Sequence, residues 1–264
     1  MNKTETTSLL EAQRGKLLIA ISLIAIIAMY FVNPIAQDLS YHQFADQNSL
    51  FSIPHFWNVV SNIPFLLVGV IGLLSLRNSV KLPGALTELK TAYITFFIGV
   101  FLTGLGSAYY HWMPDNATLL WDRLPMTISF VAFFVVIVGE NISVSLARKM
   151  LFPLLFIGVF SVLYWMFTES KGSGDLRLYA LVQFLPILLI PFILWLYSSP
   201  FKGQKYIVAV ISAYVLAKMA EYFDHQILDM LGFMSGHPIK HVIAAIGTYF
   251  FYLALKKRIF LGKS

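Results

Sequence analysis

Long apolar runs separated by short polar segments recur along the whole chain, and they constrain its fold more than any motif does. A run of about 20 apolar residues, wound as a helix, crosses the roughly 30 Å hydrocarbon layer of a bilayer. Candidate spans fall at about 17–36, 57–76, 91–111, 120–139, 150–167, 178–197, 206–224 and 238–255. No water-soluble domain of 264 residues carries 58% hydrophobic and only 12% charged side chains in this arrangement. In hydrocarbon each backbone amide must be satisfied within its own segment, so the expected fold is all-α: a polytopic membrane protein with eight transmembrane helices in one integral membrane domain, 1–264. Arg14 and Lys16 precede the first apolar run much as in a secretory signal, but no small-x-small cleavage site stands before Asn33-Pro34. That first span is therefore expected to be retained.

The basic residues alternate from loop to loop. Lys3, Arg14 and Lys16 precede the first span; Arg77, Lys81 and Lys90 lie between the second and third, Arg148 and Lys149 between the fourth and fifth, Lys202 and Lys205 between the sixth and seventh, and Lys256, Lys257, Arg258 and Lys263 follow the eighth. The alternate loops carry little beyond Arg123, Lys171, Arg177 and Lys240. Cytoplasmic loops carry the Lys and Arg excess, so both termini are expected in the cytoplasm. The net charge of +6 follows from this bias and implies no nucleic-acid partner. With no cysteine in the chain, thiolate ligands, disulfides and a cysteine nucleophile are excluded. No Gly-rich phosphate loop and no internal repeat is present.

Against this apolar background stand Ser107-x3-His111, Asp122 and His237-x3-His241. Residues four apart project from one helix face, about one turn from each other. With a cytoplasmic N-terminus, the third span ends near His111, the fourth begins near Asp122 and the eighth begins at His237, all in the outer leaflet. Three histidines with one open position are the ligand set of a catalytic zinc, whose remaining position holds a reactive water. The plainer alternative is a set of interfacial histidines among lipid headgroups.

Local sequence adds expectations. Gly104, Gly106 and Ala108 allow close helix approach, and Pro238 suits a first helical turn. Trp112, Trp121, Tyr109 and Tyr110 fit an interfacial aromatic belt. Asn58, Ser61 and Asn62 form a polar stripe that must face protein, expected to make interhelical hydrogen bonds rather than to contact substrate. Lys218 and Glu221 are spaced to pair. His42 and His55 are expected to be loop or interfacial residues rather than zinc ligands.

These residues carry a resemblance. Phe56-Trp57-Asn58-x-x-Ser61-Asn62, Gly106-Ser107-x-x-x-His111, Asp122 and Gly236-His237-x-x-Lys240-His241 resemble the alkaline ceramidases. Phe44-Ala45-Asp46-Gln47 and Trp121-Asp122-Arg123-Leu124-Pro125 resemble their bacterial branch more closely. The resemblance spans about 42–255, and the wider superfamily also holds progestin and adipoQ receptors and hemolysin III-like proteins. It implies a seven-helix core over 42–255 with 17–36 as an added N-terminal helix, and zinc on His111, His237 and His241. It also implies hydrolysis of ceramide-type N-acyl sphingoid lipids into fatty acid and sphingoid base. Asp122 would take a proton from the zinc water and pass it to the leaving amine, and Ser107 would orient that water or stabilise the oxyanion. A bacterial cytoplasmic membrane is the expected location. The acidic cluster that the eukaryotic members use for calcium is not reproduced: His55 stands directly before Phe56, and Asp46, Gln47 and Asn48 offer little else, so retention of calcium is doubtful. The alternative function within the superfamily is a receptor-like or structural protein with a non-catalytic zinc.

Overall fold

The computed structural model describes residues 3–77 and 82–262; Lys81 and Lys263, counted above among the basic residues, lie outside them. Among the described residues the regular elements are helices, except for the short antiparallel pair β1 (Phe201–Lys202) and β2 (Ile259–Phe260). The helices are α1 (Lys3–Phe31), α2 (Phe56–Val60), α3 (Ile63–Arg77), α4 (Lys90–Trp112), α5 (Asn116–Asn141), α6 (Val144–Ser170), α7 (Arg177–Leu196), α8 (Lys205–Tyr222), α9 (Asp224–Leu231) and α10 (Gly236–Lys257). Among the described residues, seven helical stretches are long and apolar enough to cross a membrane, with α2 and α3 joined as one; α8 with α9 makes an eighth if that pair, bent by 76°, is one span.

The boundaries follow local chemistry. The first span ends at Phe31 rather than at residue 36, because Pro34 has no amide hydrogen to give and pushes the residue before it out of helical geometry. Asp115 starts α5 earlier than the hydropathy suggested, as a capping box: its side chain accepts from the Thr118 amide at 2.6 Å, and its own amide donates to the Thr118 hydroxyl at 3.1 Å. Pro238 does occupy the first turn of α10.

The bundle is built around α4 and α5. Phe96, Phe97, Phe133 and Phe251 form its aromatic centre, with the Phe96 and Phe251 ring centroids 4.6 Å apart. Gly106 is what lets α4 meet α5, since a Cβ there would clash with the Trp121 carbonyl oxygen, directly beside Asp122. Gly104 serves the same purpose against Leu66 of α3. At the far end of the bundle, Arg258 and Glu140 form a fully buried ion pair at 2.7 Å. Arg258 also donates to the Gly84 carbonyl at 2.9 Å, closing the loop before α4 onto the end of α10. By contrast, α1 lies outside this bundle against α7, and Leu18 is its only buried side chain among those described.

Candidate metal centre

The C-terminal end of α4, the N-terminal end of α5 and the N-terminal end of α10 meet at one end of the bundle, opposite the Arg258–Glu140 pair. His111, His237 and His241 come together there, all buried, with one ring nitrogen from each lying within 4.8 Å of the others. Their ring centroids are 4.8 to 4.9 Å apart. Ser107 lies one turn before His111 with its hydroxyl alongside the Asp122 carboxyl. Ser107, Asp122 and His241 line one cavity of about 330 Å³, which continues along Phe65, Phe96, Val100 and Phe133. The five residues singled out by spacing thus share one site.

Each ring is held by a particular partner. The Ser61 hydroxyl donates to the Asn58 carbonyl at 3.2 Å and lies 2.9 Å from His241 Nδ1. Its single hydrogen being spent on Asn58, Ser61 offers His241 an acceptor, so Nδ1 carries the proton and Nε2 keeps its lone pair. His111 Nδ1 has no partner among the described residues. The His237 amide donates to Asp224 Oδ1 at 2.6 Å, and the other oxygen of Asp224 accepts from the Ala45 amide at 3.2 Å. His237 Nε2 sits 2.9 Å from Lys240 Nζ, which also reaches Glu221 at 2.8 Å. A metal on that nitrogen requires the lysine to rest on Glu221 alone.

Three buried imidazoles, one with an unpartnered Nδ1 among the described residues and one with its Nδ1 beside a serine hydroxyl, fit a zinc ion. Tetrahedral zinc with bonds of about 2.05 Å places its ligand nitrogens about 3.4 Å apart.

Several residues gain a place that the sequence did not assign them, Phe44 having entered only as part of a family resemblance. Phe44 is buried to 4% exposure and inserts its ring against His111 and His237, with centroids 4.6 and 5.1 Å away. It comes from the long connection between α1 and α2, where no hydrophobic period marks it. Tyr110 leaves the expected aromatic belt, being 1% exposed, with its hydroxyl 2.9 Å from His42 Nδ1. The other three aromatics, Tyr109, Trp112 and Trp121, are exposed as expected. Neither His42 nor His55 belongs to the three-histidine group: His42 ends a short 3-10 helix (Leu39–His42), and His55, directly before α2, adopts a left-handed backbone at φ 46° with its Nδ1 3.0 Å from the His111 carbonyl oxygen. Asn58, Ser61 and Asn62 are all buried and face protein, as their stripe predicted. Lys218 does pair with Glu221, and Lys240 joins that pair. Asp46 is fully buried; one carboxylate oxygen accepts from the Asn48 amide at 3.0 Å, and the other has no partner among the described residues.

A family model described as Ceramidase matches residues 46–259, which takes in every helix from α2 to α10 and all five site residues. The chain belongs to the ceramidase family. No curated protein matches it. Membership supports ceramide hydrolysis, the cleavage of an amide bond in a membrane lipid. The ceramidase match leaves α1 and Phe44 outside its bounds.

Proposed function

We propose that this member of the ceramidase family is a zinc-dependent amide hydrolase that works within the membrane on ceramide-type N-acyl sphingoid lipids, releasing a fatty acid and a sphingoid base. The observation that carries the reading is the shared cavity, in which Asp122 and Ser107 meet His241, one member of the buried three-histidine group. His111, His237 and His241 hold the zinc, which when bound supplies Lewis acidity that brings the pKa of a water down to about 7.

The chain's own residues do the rest. Ser61 keeps the proton of His241 on Nδ1, so that Nε2 faces inward as a ligand. Phe44 covers His111 and His237 and keeps bulk water from them. Asp122 accepts a proton from the attacking water and returns it to the amide nitrogen as the C–N bond breaks, so the carboxylate ends the cycle ionised. The place of Ser107 beside Asp122 favours a positioning role, its hydroxyl aiming that carboxylate, over oxyanion stabilisation. The apolar cavity walls receive a hydrocarbon chain. We place the site in the outer leaflet of a bacterial cytoplasmic membrane, with both termini cytoplasmic and residues 1–264 forming one membrane domain.

A receptor-like or structural role is the rival. It would use the zinc to tie α4 to α10 and has no need of a carboxylate in the cavity. Detergent-purified protein assayed with N-acylsphingosines, with metal content measured on the same samples, separates the two. Wild type should hold about one zinc and release fatty acid. His241→Ala should lose metal, and Asp122→Asn should keep metal while turnover falls about 10²- to 10⁴-fold. Zinc without hydrolysis would favour the structural role, and protein without zinc would overturn the metal assignment.

A further inference from the structure

Arg123 follows Asp122 directly, and the proposed reaction makes no use of it. It is 7% exposed and lines the same cavity as Asp122, Ser107 and His241. One edge of its guanidinium is held, Nη2 donating to Gln37 Oε1 at 2.6 Å. Its plane lies over the rings of Trp165 and Tyr179, 4.3 and 5.0 Å from their centroids. This cage is itself braced: the Gln37 amide and Trp165 Nε1 both donate to Glu169 Oε2, at 3.1 and 3.2 Å.

The other edge is unpaired and buried. Nη1 has no hydrogen-bond partner, and no carboxylate forms an ion pair with Arg123 among the described residues. The remaining cations of the cavity differ in this respect, since Lys218 and Lys240 both pair with Glu221. An arginine stays charged at any working pH, and a buried charge is ordinarily paired. Stacking on aromatic faces offsets part of its desolvation but leaves the in-plane N–H groups unused. A guanidinium edge of this kind matches the oxygens of a phosphate, sulfonate or carboxylate.

Position selects which part of a lipid would supply that anion. Arg123 stands on the side of the cavity nearest the α1–α2 connection, beside Gln37 and Tyr41, whereas Phe65, Phe96, Val100 and Phe133 make the remaining walls mostly apolar, with Thr103, Ser129 and Thr248 among them. A polar head belongs on the first side and an acyl chain along those walls. We propose that Arg123 is the anchor for an anionic head group, so that the preferred substrate is an N-acyl lipid whose amine-side portion carries a phosphate, sulfonate or carboxylate. This rests on the amide-hydrolase reading for the word substrate, but not for the binding of the anion.

Two measurements on the full-length protein test it. The first compares hydrolysis of N-acylsphingosine with that of N-acylsphingosine 1-phosphate by wild type, Arg123→Gln and Arg123→Lys. Wild type should favour the phosphorylated lipid by about tenfold or more in kcat/KM. That ratio should collapse toward one in Arg123→Gln, mainly through KM, and persist in part in Arg123→Lys. The second measures the thermal shift caused by dodecyl phosphate against dodecanol, which involves no catalysis. The phosphate should raise the Tm of wild type but not that of Arg123→Gln. If Arg123→Gln does not fold, the two wild-type comparisons decide alone. Wild type showing neither preference nor differential stabilisation overturns the proposal, even if the neutral lipid is cleaved. Stabilisation by the phosphate with no lipid cleaved upholds the anchor and sinks the hydrolase reading instead. If Arg123→Gln only relieves inhibition by released fatty acid, with the head-group ratio unchanged, the anion is the product's carboxylate and the proposal is overturned.

Discussion

Ser61→Ala tests the link between the polar stripe Asn58, Ser61 and Asn62, at the junction of α2 with α3, and the metal centre. The hydroxyl lies 2.9 Å from His241 Nδ1 and, with its own hydrogen given to Asn58, acts there as an acceptor. Truncation takes the hydroxyl from Nδ1–H and leaves it only the Asn58 backbone, so the ring is freer to carry its proton on Nε2, the nitrogen a metal needs. Leaving a buried donor wholly unsatisfied costs about 1–3 kcal/mol, an upper bound here, and that range corresponds to about 5- to 150-fold in affinity. The loss of 10- to 100-fold typical when a ligand's supporting hydrogen bond is removed falls inside it. Competition for zinc against a chelator of known affinity, monitored by metal retention in detergent, reads the change directly. Ser61→Thr, which keeps the hydroxyl, should stay closer to wild type than Ser61→Ala does. Zinc affinity in Ser61→Ala equal to that of wild type would refute the reasoning, because the contact would then be incidental to which nitrogen faces the metal.

Two further outcomes concern stability. Glu140→Gln breaks the buried pair with Arg258 and strands a cation that is 0% exposed, so thermal unfolding in detergent should show a loss of about 3–5 kcal/mol, part of it regained in Glu140→Gln/Arg258→Met. Asp115→Ala removes the α5 cap and should cost about 1 kcal/mol at neutral pH. The Thr118 amide that donates to it holds the Asp115 carboxyl below the usual carboxylate range. Its contribution is therefore complete above the unfolded value of about 3.9 and fades as the pH falls through the lower folded value. The Tm difference between wild type and Asp115→Ala should accordingly shrink in strong acid, and a gap that persists there would mean that the carboxylate charge is not what caps the helix.

The membrane spans were legible because hydrophobic length is a local property of the chain. The convergence of His111, Asp122, His237 and His241 followed from counting spans, since helices that alternate direction return chosen ends to one side. What stayed hidden depends on three-dimensional contact. Ser61 reads as one member of a polar stripe until α2 is packed beside α10, and only then is it the partner of His241. Tyr110 has the composition of a belt residue but lies on the inward face of α4, under His42. The 76° bend between α8 and α9 leaves no hydropathy signal, although it carries Asp224 onto the amide of His237. Phe44 and Gln37 lie in a long connection without periodicity, which is where sequence patterns say least.

That connection is fastened at both ends, by α1 in the bilayer and by α2 in the bundle. A terminal segment carrying Phe44 would roam freely when undocked and would surrender that freedom each time it covered the histidines. A span on its far side shortens the excursion, so re-covering the histidines becomes the closure of a bounded loop. Although Leu18 is the one buried side chain of α1 among those described, the helix is a mooring that bounds any departure of Phe44 from the histidines.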